Sequence, residues 1–102
     1  MYNVFNPFEG FKTSSGLIQT PALGLIHEAA HALRNLEDPN SYRDDVRYLL
    51  NKGIGYRDME EFKTITFVEN PIARQLGEPI RNNQYDGFSV NVKGPTSVIE
   101  DK

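Results

Sequence analysis

No cysteine occurs in the 102 residues, which excludes disulfides, cysteine-ligated zinc and thiol catalysis. Basic residues are not in excess. Eleven Lys and Arg face fourteen Asp and Glu, giving a net charge of −3, and no basic stripe of the kind that follows a phosphate backbone is present. That argues against a nucleic-acid partner. No apolar run approaches the roughly 20 residues of a membrane-spanning helix, so no membrane partner is expected either. The opening MYNVFNPFEG has neither the basic nor the apolar stretch of a secretory leader. The expectation is a protein of the cytoplasm, or one exported by a route that needs no signal peptide. Histidine is also scarce. There are only two, and their placement carries more information than any other feature of the chain.

What is present fits one domain spanning residues 1–102. A chain of this length buries roughly 65% of its unfolded surface, so its stability is modest and a bound metal can add to it. The first sixteen residues mix the turn formers Pro7, Gly10, Ser14, Ser15 and Gly16 with Phe5, Phe8 and Phe11. They read as an ordered, aromatic-pinned lead-in, with a short strand over Tyr2–Phe5. Thr20-Pro21 has the form of an N-cap followed by proline at the first helical position. A helix is expected over 21–36. It is apolar almost all round (ALGLIHEAAHAL), so it should be buried on most sides. Pro39 ends it.

A second, short helix is expected over 41–50. Tyr42, Val46, Leu49 and Leu50 would form its inner face, and Arg43, Asp44, Asp45 and Arg47 its solvated one, with Asn51-Lys52-Gly53 as the stop. Asp58 and Glu61 have capping-box spacing, which predicts a third helix over 58–68 carrying Phe62, Ile65 and Thr66. Asn70-Pro71 kinks this helix or restarts it with Asn70 as a new cap, and Gly77 closes the segment. Phe88, Val90 and Val92 alternate with Ser89 and Asn91, which predicts a minor strand near 88–92. Gly94-Pro95 ends it, and the last seven residues should fray. The fold class is therefore α+β, mainly helical.

Residues 27–31 read His-Glu-Ala-Ala-His, the HExxH pattern, inside the first predicted helix. Residues four apart share a helix face, so both imidazoles can reach one ion. The glutamate after the first histidine is then placed to take a proton from a water held by that ion. Chance placement gives this arrangement on the order of once in 600 for two histidines and eight glutamates. Two core histidines satisfied by ordinary hydrogen bonds are the plain alternative. An apolar helix is a costly place for His, Glu and His unless something ligates them, which favours zinc. His27 and His31 are thus candidate Zn2+ ligands and Glu28 the candidate general base.

A third ligand is needed, and with no further His or Cys it must be a carboxylate. Glu60, Glu61 and Glu69 lie on predicted helices and are the candidates, although glutamates at Glu60 and Glu61 also suit the positive end of their own helix. The run Glu60-Glu61-Phe62-Lys63-Thr64-Ile65 resembles the Glu-Glu-Leu-x-Thr-Phe stretch of the clostridial neurotoxin light chains. In those zinc endopeptidases the second glutamate is the third ligand. The resemblance implies Glu61 as ligand and Glu60 as a neighbour that steadies a ligand from behind.

A wider set of motifs carries a closer resemblance. Pro21 to Ala32 holds the HExxH with its leucines, and Glu60-Glu61 is followed by Thr64. Glu69-Asn70-Pro71-Ile72-Ala73-Arg74-Gln75 leads to Gly77, and Pro79 leads through Arg81 to Tyr85. In order and spacing this is similar to the zinc metallopeptidases that bacteria deliver as type III secretion effectors, and to related toxin domains at the ends of large repeat proteins. It covers roughly residues 1–86. It implies a zincin-like domain, one Zn2+ and endopeptidase activity on a protein or peptide substrate. It also implies that Arg81 and Tyr85 stabilise the oxyanion, as an Arg and a Tyr do in the neurotoxin-like enzymes. Glu69 either orients a histidine ligand or pairs with Arg74 at the surface. Two departures stand out. Ala29 replaces the commoner leucine, and only twenty residues precede the helix at 21–36. The sheet that borders this helix in the family must then be reduced, be replaced by the strand near Val90, or come from a partner. The runner-up reading is a zinc-binding, catalytically reduced domain that acts through protein contacts. An open approach to the metal beside a groove favours the enzyme, and a site sealed by Phe side chains favours the binder.

Overall fold

The computed structural model describes residues 6–50 and 55–101. The expected strand over Tyr2–Phe5 and the helix stop at Asn51-Lys52-Gly53 lie outside them. The chain is α+β and mainly helical. In order it forms strand β1 (Glu9–Thr13), strand β2 (Ile18–Gln19), helix α1 (Pro21–Glu37) and helix α2 (Pro39–Arg47). Helix α3 (Met59–Thr64) follows, then a π-helical turn (Ile65–Glu69), helix α4 (Asn70–Leu76) and strand β3 (Gly87–Asn91). Among the described residues no helix is long and apolar enough to cross a membrane.

The three strands form an antiparallel sheet in the order β2-β1-β3. Phe11 is the hub of its register, facing Gln19 on one side and Ser89 on the other. Alternation puts Glu9 and Phe11 on one face of β1. At the far end Thr13 pairs with Gly87, whose φ of +134° and close approach to the Lys12 carbonyl leave no room for a Cβ. The sheet adds two strands, β1 and β2, to the minor strand expected near 88–92. β1 carries no strand signal of its own, because Glu-Gly-Phe-Lys-Thr lacks clean alternation and its long partner, β3, is far away in sequence.

Helix α1 starts as expected. The Thr20 hydroxyl accepts from the Leu23 N–H, and Pro21 takes the first helical position. Glu78 holds the cap from outside, accepting from the Thr20 N–H at 2.7 Å and from its hydroxyl at 3.0 Å. The expectation that α1 is buried on most sides fails. Only Pro21, Leu23 and His27 are buried, while Leu25, Leu33 and Leu36 are 45%, 54% and 81% exposed. The helix lies on the domain with its histidine side inward and its leucine side outward.

Helix α2 begins two residues earlier than the expected 41–50 and ends three earlier. Asp38-Pro39 repeats the Thr20-Pro21 device. The Asp38 carboxylate accepts from the Ser41 N–H, and the proline that ends α1 also opens α2. Leu49 falls outside the helix and is 72% exposed, bridged through its backbone to Asp58. Asp45 does not belong to a solvated face, because Arg34 and Lys63 both grip it.

The expected helix 58–68 is α3 plus the π-turn. Asp58 caps it through the Glu61 N–H at 2.9 Å. The reciprocal half of the capping box is absent because the Glu61 side chain is turned to the histidines. Asn70 is not a cap. It keeps helical geometry, and its N–H reaches back to the Ile65 carbonyl across the widened turn. Pro71 has no N–H to donate and its ring displaces the carbonyl four residues back, and a wide turn relieves both problems. Gly77, at φ +73°, ends α4 as expected. The C-terminus does not fray at Glu100 and Asp101. Glu100 bridges to Val92 and pairs with Lys12 at 3.2 Å, and Asp101 donates its N–H to Asn91.

The interior is unusual for its size. Leu23, Ile65, Ala73 and Val92 are fully buried, but so, to 1% exposure, are Asp58, Glu60 and Glu69. Carboxylates are rarely buried without partners. Those partners define the site.

Candidate metal centre

Helix α1 presents His27 and His31 from one side and α3 presents Glu61 from the other. The two Nε2 atoms lie 3.0 Å apart. Glu61 Oε2 is 3.1 Å from His27 Nε2, and Glu61 Oε1 is 2.8 Å from His31 Nε2. His27, His31 and Glu61 form the one group among the described residues whose ligand atoms converge closely enough to hold a metal ion. Of the three candidate carboxylates, Glu61 is the one that meets both imidazoles on their facing nitrogens.

The other two glutamates hold the rings from behind. Glu69 Oε1 accepts from His27 Nδ1 at 2.8 Å, and Glu60 Oε2 is 3.0 Å from His31 Nδ1, with the Thr64 hydroxyl 3.2 Å from the same oxygen. A carboxylate on Nδ1 fixes the tautomer, aims Nε2 outward and raises its basicity. Glu60 follows a different path from Glu61, as adjacent helical residues must, yet it still reaches the far side of His31. In an unbroken α-helix Glu69 would sit about 80° around the axis from Glu61. The extra residue absorbed by the π-turn brings the two to within about 20°, on the side that faces α1.

Glu69 is not paired with Arg74, which is exposed. Its partners are His27, Gln19 and Arg81. Gln19 Nε2 donates to Glu69 Oε2 at 3.2 Å, Arg81 Nε donates to the same oxygen at 2.8 Å, and Arg81 Nη2 donates to Oε1. The guanidinium lies over the Phe11 ring, 4.7 Å from its centroid. Asn70 fixes the Arg81 backbone with a pair of hydrogen bonds of 2.8 and 3.0 Å. Arg81 is thus clamped to the Glu69 carboxylate while still lining the cavity. Tyr85 lines it too and is 54% exposed.

The cavity measures about 590 Å³ and opens over the His27–His31–Glu61 group. Glu28 is on its wall, as are Phe11, Ser89 and Tyr42. Phe11 packs beneath Arg81 and does not seal the histidines. Tyr42 was not singled out by its sequence context. It comes from α2, and burial together with the nearby carboxylates of Glu60, Asp58, Glu61 and Glu28 pushes its phenol above the usual range. It therefore stays a neutral hydrogen-bond donor at neutral pH.

The donor set suits zinc: two imidazole nitrogens and a carboxylate, with both rings backed by buried carboxylates and a cavity on the open side. Without metal, protons hold the group together. Burial works against a charged His27, but the hydrogen bonds it donates to Glu61 and Glu69 outweigh that and raise its pKa to about 9. Burial likewise opposes the charge on Glu69, and His27 and Arg81 overcome it, lowering the pKa to about 2. Glu61 is held well below the usual carboxylate range by the same two imidazoles.

These shifts have opposite signs for stability. The His27 contribution is complete below its ordinary value of 6.5 and is lost as pH rises through about 9. The Glu69 contribution is complete above 4.5 and is lost as pH falls through about 2. Metal-stripped protein in chelator should therefore resist urea best between about pH 4.5 and 6.5. A urea midpoint that climbs steadily from pH 6 to 9 under those conditions would contradict this. A zinc ion held by these nitrogens would reverse the high-pH trend, because metal binding to imidazole competes with protons and strengthens as pH rises.

Comparison of the chain with protein-family models, curated proteins and solved structures returns no match.

Proposed function

We propose that the chain is a zinc metallopeptidase that hydrolyses peptide bonds in a protein substrate. The observation that carries this reading is the convergence of His27, His31 and Glu61 at a cavity whose wall includes Glu28. The motif order that resembles bacterial effector and toxin metallopeptidases supports it, and the role of a delivered effector or toxin follows from the same resemblance. Zinc held by these three residues would supply a Lewis acid and a water activated at neutral pH. Glu28 accepts the proton as the nucleophile attacks and returns it to the leaving amine. The open cavity favours the enzyme over a purely binding domain, because among the described residues Phe11 is the one Phe on its wall, and that ring stacks on Arg81.

Oxyanion stabilisation falls to the donors on the cavity wall. Arg81 keeps Nη1 least engaged, 3.4 Å from the Gln84 carbonyl, and Tyr85 lines the cavity from the same loop. A peptide mixture incubated with zinc-loaded protein and read by mass spectrometry tests the proposal. It predicts new termini that vanish when a chelator is added and return with zinc. Termini that persist unchanged in chelator, or none across a diverse mixture, would count against it.

A further inference from the structure

Behind His31 a line of alternating charges crosses three helices. Glu60, on α3, is buried with its side chain 2% exposed. Its Oε2 serves His31 and Thr64. Its Oε1 is buried and makes no hydrogen bond, and its only compensation among the described residues is the charge of Arg34, whose Nη1 lies 3.1 Å away. Arg34 is on α1, one turn past His31 and on the same side of the helix. Its Nη2 bonds Asp45 Oδ2 at 2.9 Å, and Lys63 Nζ meets that same oxygen at 2.7 Å. Asp45, at 15% side-chain exposure, is the link from α2. Burial acts against its charge, but Lys63 and Arg34 together hold its pKa below the ordinary range.

We propose that Asp45, acting through Arg34, is a positioning residue of the metal centre: it fixes the plane of the Glu60 carboxylate and with it the ring of His31. The proposal rests on the zinc-site reading above. A carboxylate held through one oxygen can turn about its own axis, and a charge on the second oxygen stops it. Arg34 can provide that charge only while its long side chain is kept off solvent, and at 32% exposure it has solvent within reach. Asp45 keeps it in place by taking the other end of the guanidinium fork. Helix α2 thereby becomes a buttress of a site to which it gives no ligand. With Asp45 neutralised, Arg34 is free to swing outward, Glu60 Oε1 is left buried without compensation, and the His31 ring loses its fixed direction.

Zinc alone is the probe. The parent, Asp45→Asn, Arg34→Met and the double variant are titrated with zinc against a chromophoric chelator, at a pH and temperature where circular dichroism shows all of them folded. Asp44→Asn, the exposed neighbour on the same helix, is the control. The expected result is about three- to tenfold weaker zinc binding for Asp45→Asn and ten- to a hundredfold for Arg34→Met. The double variant should be no weaker than Arg34→Met, because both changes break one chain of contacts. Asp44→Asn should match the parent. Cobalt substituted for zinc should show altered visible absorption in Asp45→Asn, since those bands report ligand geometry. If Arg34→Met does not fold, Asp45→Asn decides. An Asp45→Asn variant with a lower melting temperature but the parent's zinc affinity and cobalt spectrum overturns the proposal and leaves the zinc site standing. A parent that binds no zinc overturns both.

Discussion

Chelation of zinc should lower the melting temperature of this chain by about 10–20 °C. Several features of the fold lead there. The proposed ligands come from two separate helices, His27 and His31 from α1 and Glu61 from α3, so an ion held by them would crosslink the two. Few large apolar side chains are fully buried, and Glu60, Glu69 and Asp58 stand among them. Those carboxylates depend on the histidine cluster, Arg34, Arg57 and Arg81 for their place in the interior. A ligand present at a hundred times its dissociation constant adds about 2.7 kcal/mol. In a domain of this size each kcal/mol moves the midpoint by about 4–8 °C. Differential scanning calorimetry with and without chelator reads the shift directly. Identical melts, with removal of the metal verified, would show that zinc does not hold α1 to α3.

Glu28→Gln should separate binding from chemistry. Glu28 lies on the cavity wall and is not among the three converging ligands, so the variant should take up zinc with the parent's affinity. The amide keeps the shape and loses the basicity, and turnover should fall by about a thousandfold, within the usual range for a general base. His31→Ala should lose metal and turnover together. The comparison requires zinc affinity and turnover to be measured on the same preparations. A Gln variant that cleaves as fast as the parent would remove Glu28 from the chemistry while leaving the metal centre intact.

The parts of this site that are legible in the sequence are those fixed by local helical geometry. His27 and His31 stand four apart behind a Thr-Pro cap, and that spacing alone puts them on one face of α1. Asp58 announces the start of α3, which sets the phase of Glu60 and Glu61. What local geometry leaves open is which carboxylate faces the imidazoles, because all three candidates lie on helical segments and all three end in contact with a histidine. The roles divide by nitrogen: Glu61 takes the Nε2 side, and Glu60 and Glu69 take the two Nδ1 sides. The π-turn ahead of Pro71, which carries Glu69 round to His27, has only the proline as its sequence sign.

The sheet was largely hidden for a different reason. β1 pairs with β3 across more than seventy residues, and β2 has only two residues, so neither offers a periodic pattern of its own. Asp45 reads as part of a solvated face because its neighbours Arg43, Asp44 and Arg47 are all charged. Nothing local distinguishes an aspartate that meets Arg34 and Lys63 on other helices from one that meets water. The outward leucines of α1 show the converse, since an apolar helix reads as buried whether or not the domain covers it.

His27, His31 and Glu61 are proposed to hold one zinc ion. Elemental analysis of protein exchanged into metal-free buffer after zinc loading tests it most directly, with His31→Ala run alongside. The expected result is about one zinc per chain in the parent and none above background in His31→Ala. A parent that retains no zinc, or a His31→Ala variant that retains as much as the parent, would contradict it.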